Sequence, residues 1–177
     1  HLPFQAGNNE ILKKMNRNYT KEHYLGLIAK IKKEIPDIAL TTDIIVGFPG
    51  ETLEQVDDTI DVIKKVRFNG AFTFIYSKRT GTPAAKMENQ VDEKLIKEGF
   101  NKVLETLNPI ILELNKEKIG NTYKVLAEEY DEETKTIKGR LEDNSLVHFA
   151  GGQRLIGNII DVKIVDCKTF YLLGEVI

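Results

Sequence analysis

One run of residues constrains this chain more than any other. Ala39-Leu40-Thr41-Thr42-Asp43-Ile44-Ile45-Val46 is apolar and β-branched, and it ends in Gly47-Phe48-Pro49-Gly50 before Glu51-Thr52. Such a run reads as a buried strand, and a strand that stops in a glycine-rich turn before a helix presents its carboxyl end to a ligand. Asp43 and the bare backbone of Gly47 and Gly50 are what this edge offers.

The flanking sequence supplies the rest of an α/β unit. A short extended piece, Leu2 to Gln5, precedes a helical turn around Ile11 to Met15. Thr20 reads as the N-cap of a helix from Lys21 to Glu34, where Tyr24, Leu27, Ile28 and Ile31 recur at the spacing of one buried face, and Pro36 stops it. The strand is expected from Ile38 to Val46. Thr52 with Gln55 forms a capping-box pattern for a helix from Leu53 to Val66, with Val56, Ile60 and Ile63 on one side. Ala71 to Tyr76 is the next strand, Ser77 to Pro83 a polar loop, and Asp92 to Ile119 a long helical pattern that Pro109 is expected to kink or divide. Strands alternating with helices imply parallel strands joined by right-handed crossovers, hence part of a β/α barrel or an open parallel sheet. Three such strands are too few to close a barrel.

After Gly120 the pattern changes to five short β runs: Thr122 to Tyr130, Thr136 to Leu141, Ser145 to Phe149, Asn158 to Val165 and Thr169 to Val176. Polar turns and glycines separate them, as in a small antiparallel barrel of the OB-like kind. The boundary is expected near Lys116 to Gly120, giving domains 1–115 and 116–177. Tyr123, Tyr130, His148, Phe149, Phe170 and Tyr171 are expected mostly in the barrel core. From Lys116 onward nine Lys and Arg face eleven Asp and Glu, so strong RNA binding by this part alone does not follow.

Composition excludes several classes. With 41% hydrophobic and 29% charged residues the 177-residue chain is neither disordered nor fibrous, and a net charge of -2 leaves any nucleic acid to be held by a local basic face. No apolar run approaches the roughly 20 residues of a membrane span, and the chain reads as cytoplasmic. The single cysteine, Cys167, is expected as a buried thiol and cannot make a disulfide framework or a multi-cysteine metal site. His1, His23 and His148 have no metal-like spacing, and no Ser or Cys sits in a nucleophile-like turn. Hydrolytic chemistry is not expected. The chain opens on His1-Leu2-Pro3 without an initiator Met, which points to a piece of a longer protein.

Three groups converge at the strand ends: Gln5 after the first, Asp43 and Gly47 along the second, Tyr76-Ser77 after the third. An amide and a carboxylate at neighbouring strand ends suit vicinal hydroxyls such as those of a ribose, and Arg17 can return over the same edge to a carboxylate. The same residues also suit plain duties, as a turn cap, a strand-end amide and a solvated charge. Lys78 and Arg79, with Lys64, Lys65 and Arg67, form a basic group, as do Lys13, Lys14, Arg17, Lys21, Lys30, Lys32 and Lys33; such groups contact phosphates or simply face solvent.

The wording is more specific than the spacing. His1-Leu2-Pro3-Phe4-Gln5-Ala6-Gly7, Ile11 to Thr20, Thr42 to Thr52, and Phe72 to Ser77 with Gly81-Thr82-Pro83-Ala84-Ala85 together resemble the radical S-adenosylmethionine methylthiotransferases. The last sixty residues resemble the TRAM domain that ends these proteins. The resemblance implies the C-terminal half of a partial, TIM-like β/α barrel followed by the TRAM barrel. It implies an enzyme adding a methylthio group to carbon two of a prenylated adenosine beside the tRNA anticodon; relatives acting on threonylcarbamoyl adenosine or a ribosomal protein, or a non-catalytic RNA-binding module, are the alternatives.

Carried over motif by motif, Gln5 and Asp43 would address the ribose hydroxyls and Arg17 the methionyl carboxylate. The backbone of Phe74, Ile75 and Tyr76 would meet the adenine edge, and Ile45 to Gly47 the adenine face; Lys78 and Arg79 would meet RNA. Ala6 stands where the family often has Ser, and Glu51 is displaced by one from the general pattern Gly-x-Ile-x-Gly-x-x-Glu, so Glu51 is assigned no catalytic role. The family further implies S-adenosylmethionine and two [4Fe-4S] clusters, a tRNA anticodon stem-loop, a sulfur donor and a reductant such as flavodoxin, with oligomeric state open. The CxxxCxxC loop and the second set of three cysteines are not in this sequence. The chain alone is therefore expected to hold no cluster and to have no activity.

Overall fold

A computed structural model describes all 177 residues, which divide into two compact units, His1–Ile110 and Ile111–Ile177. In the first unit α1 (Asn9–Lys14), α2 (Lys21–Glu34), β1 (Thr41–Val46), α3 (Leu53–Val66), β2 (Gly70–Ile75) and most of α4 (Glu93–Lys116) follow in order. β1 and β2 pair in parallel, Thr41 opposite Gly70 through Val46 opposite Ile75. Leu2 to Gln5 runs parallel along the other edge of β1: Leu2 N–H donates to Thr41 O, Gln5 N–H to Asp43 O and Ile45 N–H to Gln5 O, at 2.9 to 3.0 Å. Thr42, fully buried, explains why a hydroxyl stands in an apolar strand. Its Oγ1 accepts from Phe4 N–H at 3.0 Å and donates to Leu2 O at 2.9 Å, so it satisfies backbone groups that the short first segment would otherwise bury unpaired.

β1 begins at Thr41, later than Ile38, and is buried on one face only. Thr42, Ile44 and Val46 point into the core with Phe4, Phe68 and the buried side of α3. The rings of Phe4 and Phe68 stack with centroids 5.6 Å apart. Asp43 and Ile45 therefore share the opposite face, with Phe72 and Phe74 as their register partners on β2. This alternation exposes the ligand face.

α3 starts in the expected capping box: Gln55 N–H donates to Thr52 Oγ1 at 3.3 Å, and Thr52 N–H to Gln55 Oε1 at 3.1 Å. Thr52→Ala removes one of these bonds, and the expected loss is about 1 kcal/mol, read as a lower urea midpoint. Two expectations are corrected. In α2 only Tyr24 and Ile28 are fully buried, while Leu27 is 38% exposed, because the side of the helix that meets α3 is narrower than a four-residue stripe. Of the two effects expected of Pro109, to kink or to divide α4, division does not occur, since the helix runs unbroken from Glu93 to Lys116. Val103, Leu107, Ile110 and Ile111 are buried on both sides of the proline, and their packing outweighs the one missing amide bond.

The second unit is a closed barrel of β3 (Thr122–Asp131), β4 (Thr136–Leu141), β5 (Leu146–Ala150), β6 (Ile159–Cys167) and β7 (Leu172–Val176), in the order β3-β4-β5-β7-β6. It is not wholly antiparallel, since β5 and β7 pair in parallel. A fifth strand that must complete a ring between two fixed neighbours takes the direction their spacing allows, and the alternation of residues does not reveal that direction. Val125, Ile137, Val147, Phe149, Val162, Ile164, Cys167 and Leu172 fill the interior. Of the six aromatic and histidine residues expected mostly inside, only Phe149 is fully buried. Tyr123 and Tyr130 lean on the core from the side, and Phe170 is 69% exposed. The interior is narrow enough to be filled by aliphatic side chains and the one ring of Phe149, which leaves the other rings outside it.

Candidate functional site

The carboxyl ends of the three extended segments open onto a cleft of about 710 Å³. Gln5, Arg17, Asp43, Ile45, Phe74, Ile75 and Tyr76, seven of the residues singled out from the sequence, line it together. Arg79 lines it too, from the loop after β2. Lys78 is exposed and is not part of the lining, and Gly47 lies behind the wall, on a small separate cavity shared with Glu51. Lys14, Met15, Asn16, Phe48, Ser77 and Thr82 to Ala84 complete the cleft. The four motifs contain every one of these residues, but only Ser77 was expected at the strand ends, and Lys14 in a basic group.

Each wall has a local cause. Gln5 is 6% exposed and holds φ 68°, a left-handed backbone that a non-glycine residue adopts at a cost of about 1 kcal/mol or more. Its N–H and C=O are both tied to β1, so the strained backbone is fixed while the side chain meets the cleft. Arg17 is placed by the end of α1. Asn16 takes φ 58° after the helix, its N–H donates to Lys13 O and Arg17 N–H to Leu12 O, the closed pattern that asparagine or glycine permits. Asp43 Oδ1 lies 3.4 Å from His1 Nε2, whose Nδ1 is 2.9 Å from Thr41 Oγ1, which orients the carboxylate along the sheet face.

At the far end Tyr76 N–H donates to Val46 O at 2.8 Å and extends the β2 ladder past Ile75. The Tyr76 ring meets Phe48 edge to face, with centroids 5.3 Å apart, and its hydroxyl is buried with no hydrogen-bond partner. A buried unpaired hydroxyl at a cleft wall is costly to leave empty-handed and suits a polar ligand atom. The following loop is braced by itself: Thr82 Oγ1 donates to Arg79 O at 2.8 Å and accepts from Ala85 N–H, while Gln90 Nε2 donates to Ala84 O and Met87 O.

Glu51, weighed from the sequence and assigned no catalytic role, lies on the small cavity behind the wall. It is 7% exposed, and its Oε2 accepts the Gly47 N–H at 2.5 Å. Burial pushes its carboxyl up to about 7, against the pull of the Gly47 and Phe48 amides in the other direction. The available signal was a lone acid four residues after a glycine, between a turn and an apolar helix face.

No set of three or more His, Cys, Asp or Glu is grouped as a metal would need, and Cys167, the one cysteine, is buried at the end of β6. The residues present do not fit an iron-sulfur cluster. They do fit an adenosyl cofactor: a carboxylate and an amide at adjacent strand ends, a guanidinium, an unpartnered hydroxyl and apolar faces at Ile45 and Phe74.

Comparison with known proteins follows the same division. Residues 1–63 match the Radical SAM superfamily and residues 116–177 match the TRAM domain. The Radical SAM match ends within α3, and the TRAM match coincides with the barrel. Among its relatives are proteins called tRNA-2-methylthio-N(6)-dimethylallyladenosine synthase. The one from Alkaliphilus oremlandii is 51% identical over 100% of this chain and 38% of its own length. Those from Lachnoclostridium phytofermentans and Acetivibrio thermocellus are 53% and 54% identical over 99% and 100% of this chain, and 39% and 37% of their own lengths. The chain thus spans about two fifths of the curated relatives it matches. The resemblance to the radical S-adenosylmethionine methylthiotransferases, drawn from four motifs, is borne out. No helix is long and apolar enough to cross a membrane.

Proposed function

We propose that the cleft binds S-adenosylmethionine and that this chain contributes the cofactor's adenosyl and methionyl contacts, together with the TRAM barrel, to a tRNA methylthiotransferase acting on a prenylated adenosine. The observation that carries the reading is the convergence of Gln5, Arg17, Asp43, Ile45, Phe74, Ile75 and Tyr76 on one cleft. Separate motifs, spread over some seventy residues, have no reason to line one cavity unless they share a ligand.

In this reading Asp43 accepts from the ribose hydroxyls through the oxygen turned away from His1, and Gln5 serves the same diol. Arg17 pairs with the methionyl carboxylate, Ile45 and Phe74 cover the adenine, and the backbone of Ile75 and Tyr76 reads its edge. The cofactor supplies a methyl group and the sulfonium whose reductive cleavage starts this family's chemistry. The cluster that delivers the electron must be held by residues outside this chain. Gly47 acts indirectly, by shaping the wall behind Ile45 and Phe48. Lys78 and Arg79, on the loop beside the cleft, meet RNA phosphates, and the TRAM barrel adds further RNA surface. Leu2 to Gln5, β1 and β2, parallel and joined by helices, are three strands of a half barrel that further strands complete. The tRNA anticodon stem-loop, a sulfur donor and a cytoplasmic setting complete the proposal, and the relatives' names favour the dimethylallyl substrate over the threonylcarbamoyl one.

Titration calorimetry of the chain with S-adenosylmethionine tests it. Binding is expected in the wild type, and Asp43→Asn, which keeps the size and removes the charge, is expected to weaken it about tenfold, the effect of one charge-assisted bond to a hydroxyl. Absence of binding in the wild type, or an unchanged affinity in Asp43→Asn, refutes the reading.

A further inference from the structure

Under the turn after β1 sits an acid in apolar surroundings. Around Glu51 the small cavity is lined by Val46, Leu53, Val56, Val91, Leu95 and Ile96, none of them titratable. Charged groups nearby on the elements packed there are Glu54 and Asp57 on α3, Asp92 just before α4, and Glu93, Lys94, Lys97 and Glu98 in its first turns, all exposed. Lys14 is the cation on the cleft side, with its Nζ 3.1 Å from where a Gly50 side chain would begin. An acid buried this way destabilises a fold, so its place there calls for a reason other than stability.

That contact is with Gly47. Gly47 holds φ 83°, and a Cβ there would lie 2.7 Å from the Ile96 side chain, so only glycine fits and its amide points at Glu51 alone. The next residue, Phe48, is the ring that meets Tyr76 at the cleft. On the other side Gly50 N–H donates to Asn89 O at 2.7 Å, which pins the end of the same turn.

We infer that Glu51 is a positioning residue of the cofactor cleft: by accepting the Gly47 amide from below it holds the left-handed turn that sets Phe48 and Tyr76 as the cleft wall. The inference rests on the reading that the cleft takes S-adenosylmethionine. An ionised carboxylate is the stronger acceptor, and burial brings its titration to about 7, so the brace tightens as pH rises through neutrality.

Two measurements on the chain test this, both across about pH 5.5 to 8.5. The first follows the Gly47 amide by nitrogen-15 NMR without ligand. In the wild type it is expected to trace one titration centred near 7, absent in Glu51→Gln. The second measures S-adenosylmethionine affinity in both proteins. Between pH 6 and 8 the wild type is expected to gain about fivefold more than Glu51→Gln, the difference between a charged and a neutral acceptor. Taking that difference removes the titration of the cofactor's own α-amine, which is common to both proteins. A Gly47 signal that stays flat in the wild type overturns the inference, as do parallel affinity profiles. If neither protein binds the cofactor while the Gly47 titration persists in the wild type alone, the cofactor reading falls and the brace on the turn is upheld. Should Glu51→Gln fail to fold, the wild-type Gly47 titration decides by itself.

Discussion

Gly7→Ala is expected to cost about 4 kcal/mol. A Cβ at Gly7 would lie 2.4 Å from Asp58 O and 2.5 Å from Thr59 Cα, both backbone atoms of α3, so no side-chain rotation relieves the clash. Moving a helix that buries Val56, Ile60, Val62, Ile63 and Val66 by about 1 Å is an overpacking cost of roughly 1 to 3 kcal/mol. The same movement stretches the 2.8 Å bond from Gly7 N–H to the buried Thr59 Oγ1, adding about 1 to 2 kcal/mol for two groups left unpaired. Loss of protection in amide exchange should concentrate in α3 and β1 and spare the five-stranded barrel. Gly26→Ala provides the control, because Gly26 lies within α2 with nothing inside 4 Å of its Cβ position and should stabilise by roughly 0.5 to 1 kcal/mol. If the two substitutions behave alike, close approach of backbones at Gly7 is not what holds the first segment.

Glu51→Gln is expected to raise stability at pH 8 by about 2 kcal/mol and to change little near pH 4.5. The sign follows from the direction of the titration. Burial lifts the folded-state carboxyl from its ordinary 4.5 to about 7, so the folded chain holds a proton that the unfolded chain has already released. The group's contribution is therefore most favourable below about 4.5, falls as pH rises through 7, and is constant above. At about 1.4 kcal/mol per pH unit the full cost is roughly 3 kcal/mol, of which about 1 returns when glutamine accepts the Gly47 amide less strongly. Asp61 and Asp143, which their lysine partners hold below the usual carboxylate range, slope the other way but are common to both proteins and cancel in the difference. Denaturant unfolding of the two proteins at about pH 5 and pH 8 measures it. Equal stabilities at both values would mean that Glu51 ionises as an exposed glutamate does. A substitution that gains stability while losing cofactor affinity is the usual exchange at a functional position.

Much of both units was legible because local signals and tertiary needs agree. Thr20, and Thr52 with Gln55, mark helix starts that form as their side chains dictate. The five β runs after Gly120 become the five barrel strands within a few residues of their expected bounds. What escaped had no local signal. The one-sided burial of β1 depends on how little structure covers its Asp43 face, and a run rich in isoleucine reads the same whether one face or two are covered. The parallel β5–β7 pair is decided by ring closure, and the outward aromatics by interior width. At the site, the motif residues announced a ligand edge, but Glu51 did not announce its burial. That comes from Val91, Leu95 and Ile96 folding over it from some forty residues away.

The barrel's closing order carries a consequence in time. β7, the last strand in sequence, pairs with both β5 and β6, and β6 in turn pairs back to β3, some forty residues earlier. Until Leu172–Val176 exists, two strands stand with open edges and the interior residues of β3 and β4 have no complete shell. During synthesis, with residues added at about 5 to 20 per second, this part of the chain must wait several seconds in a half-wrapped state. It cannot bank partial progress, whereas Leu2 to Val46 can be knit together as soon as β1 emerges.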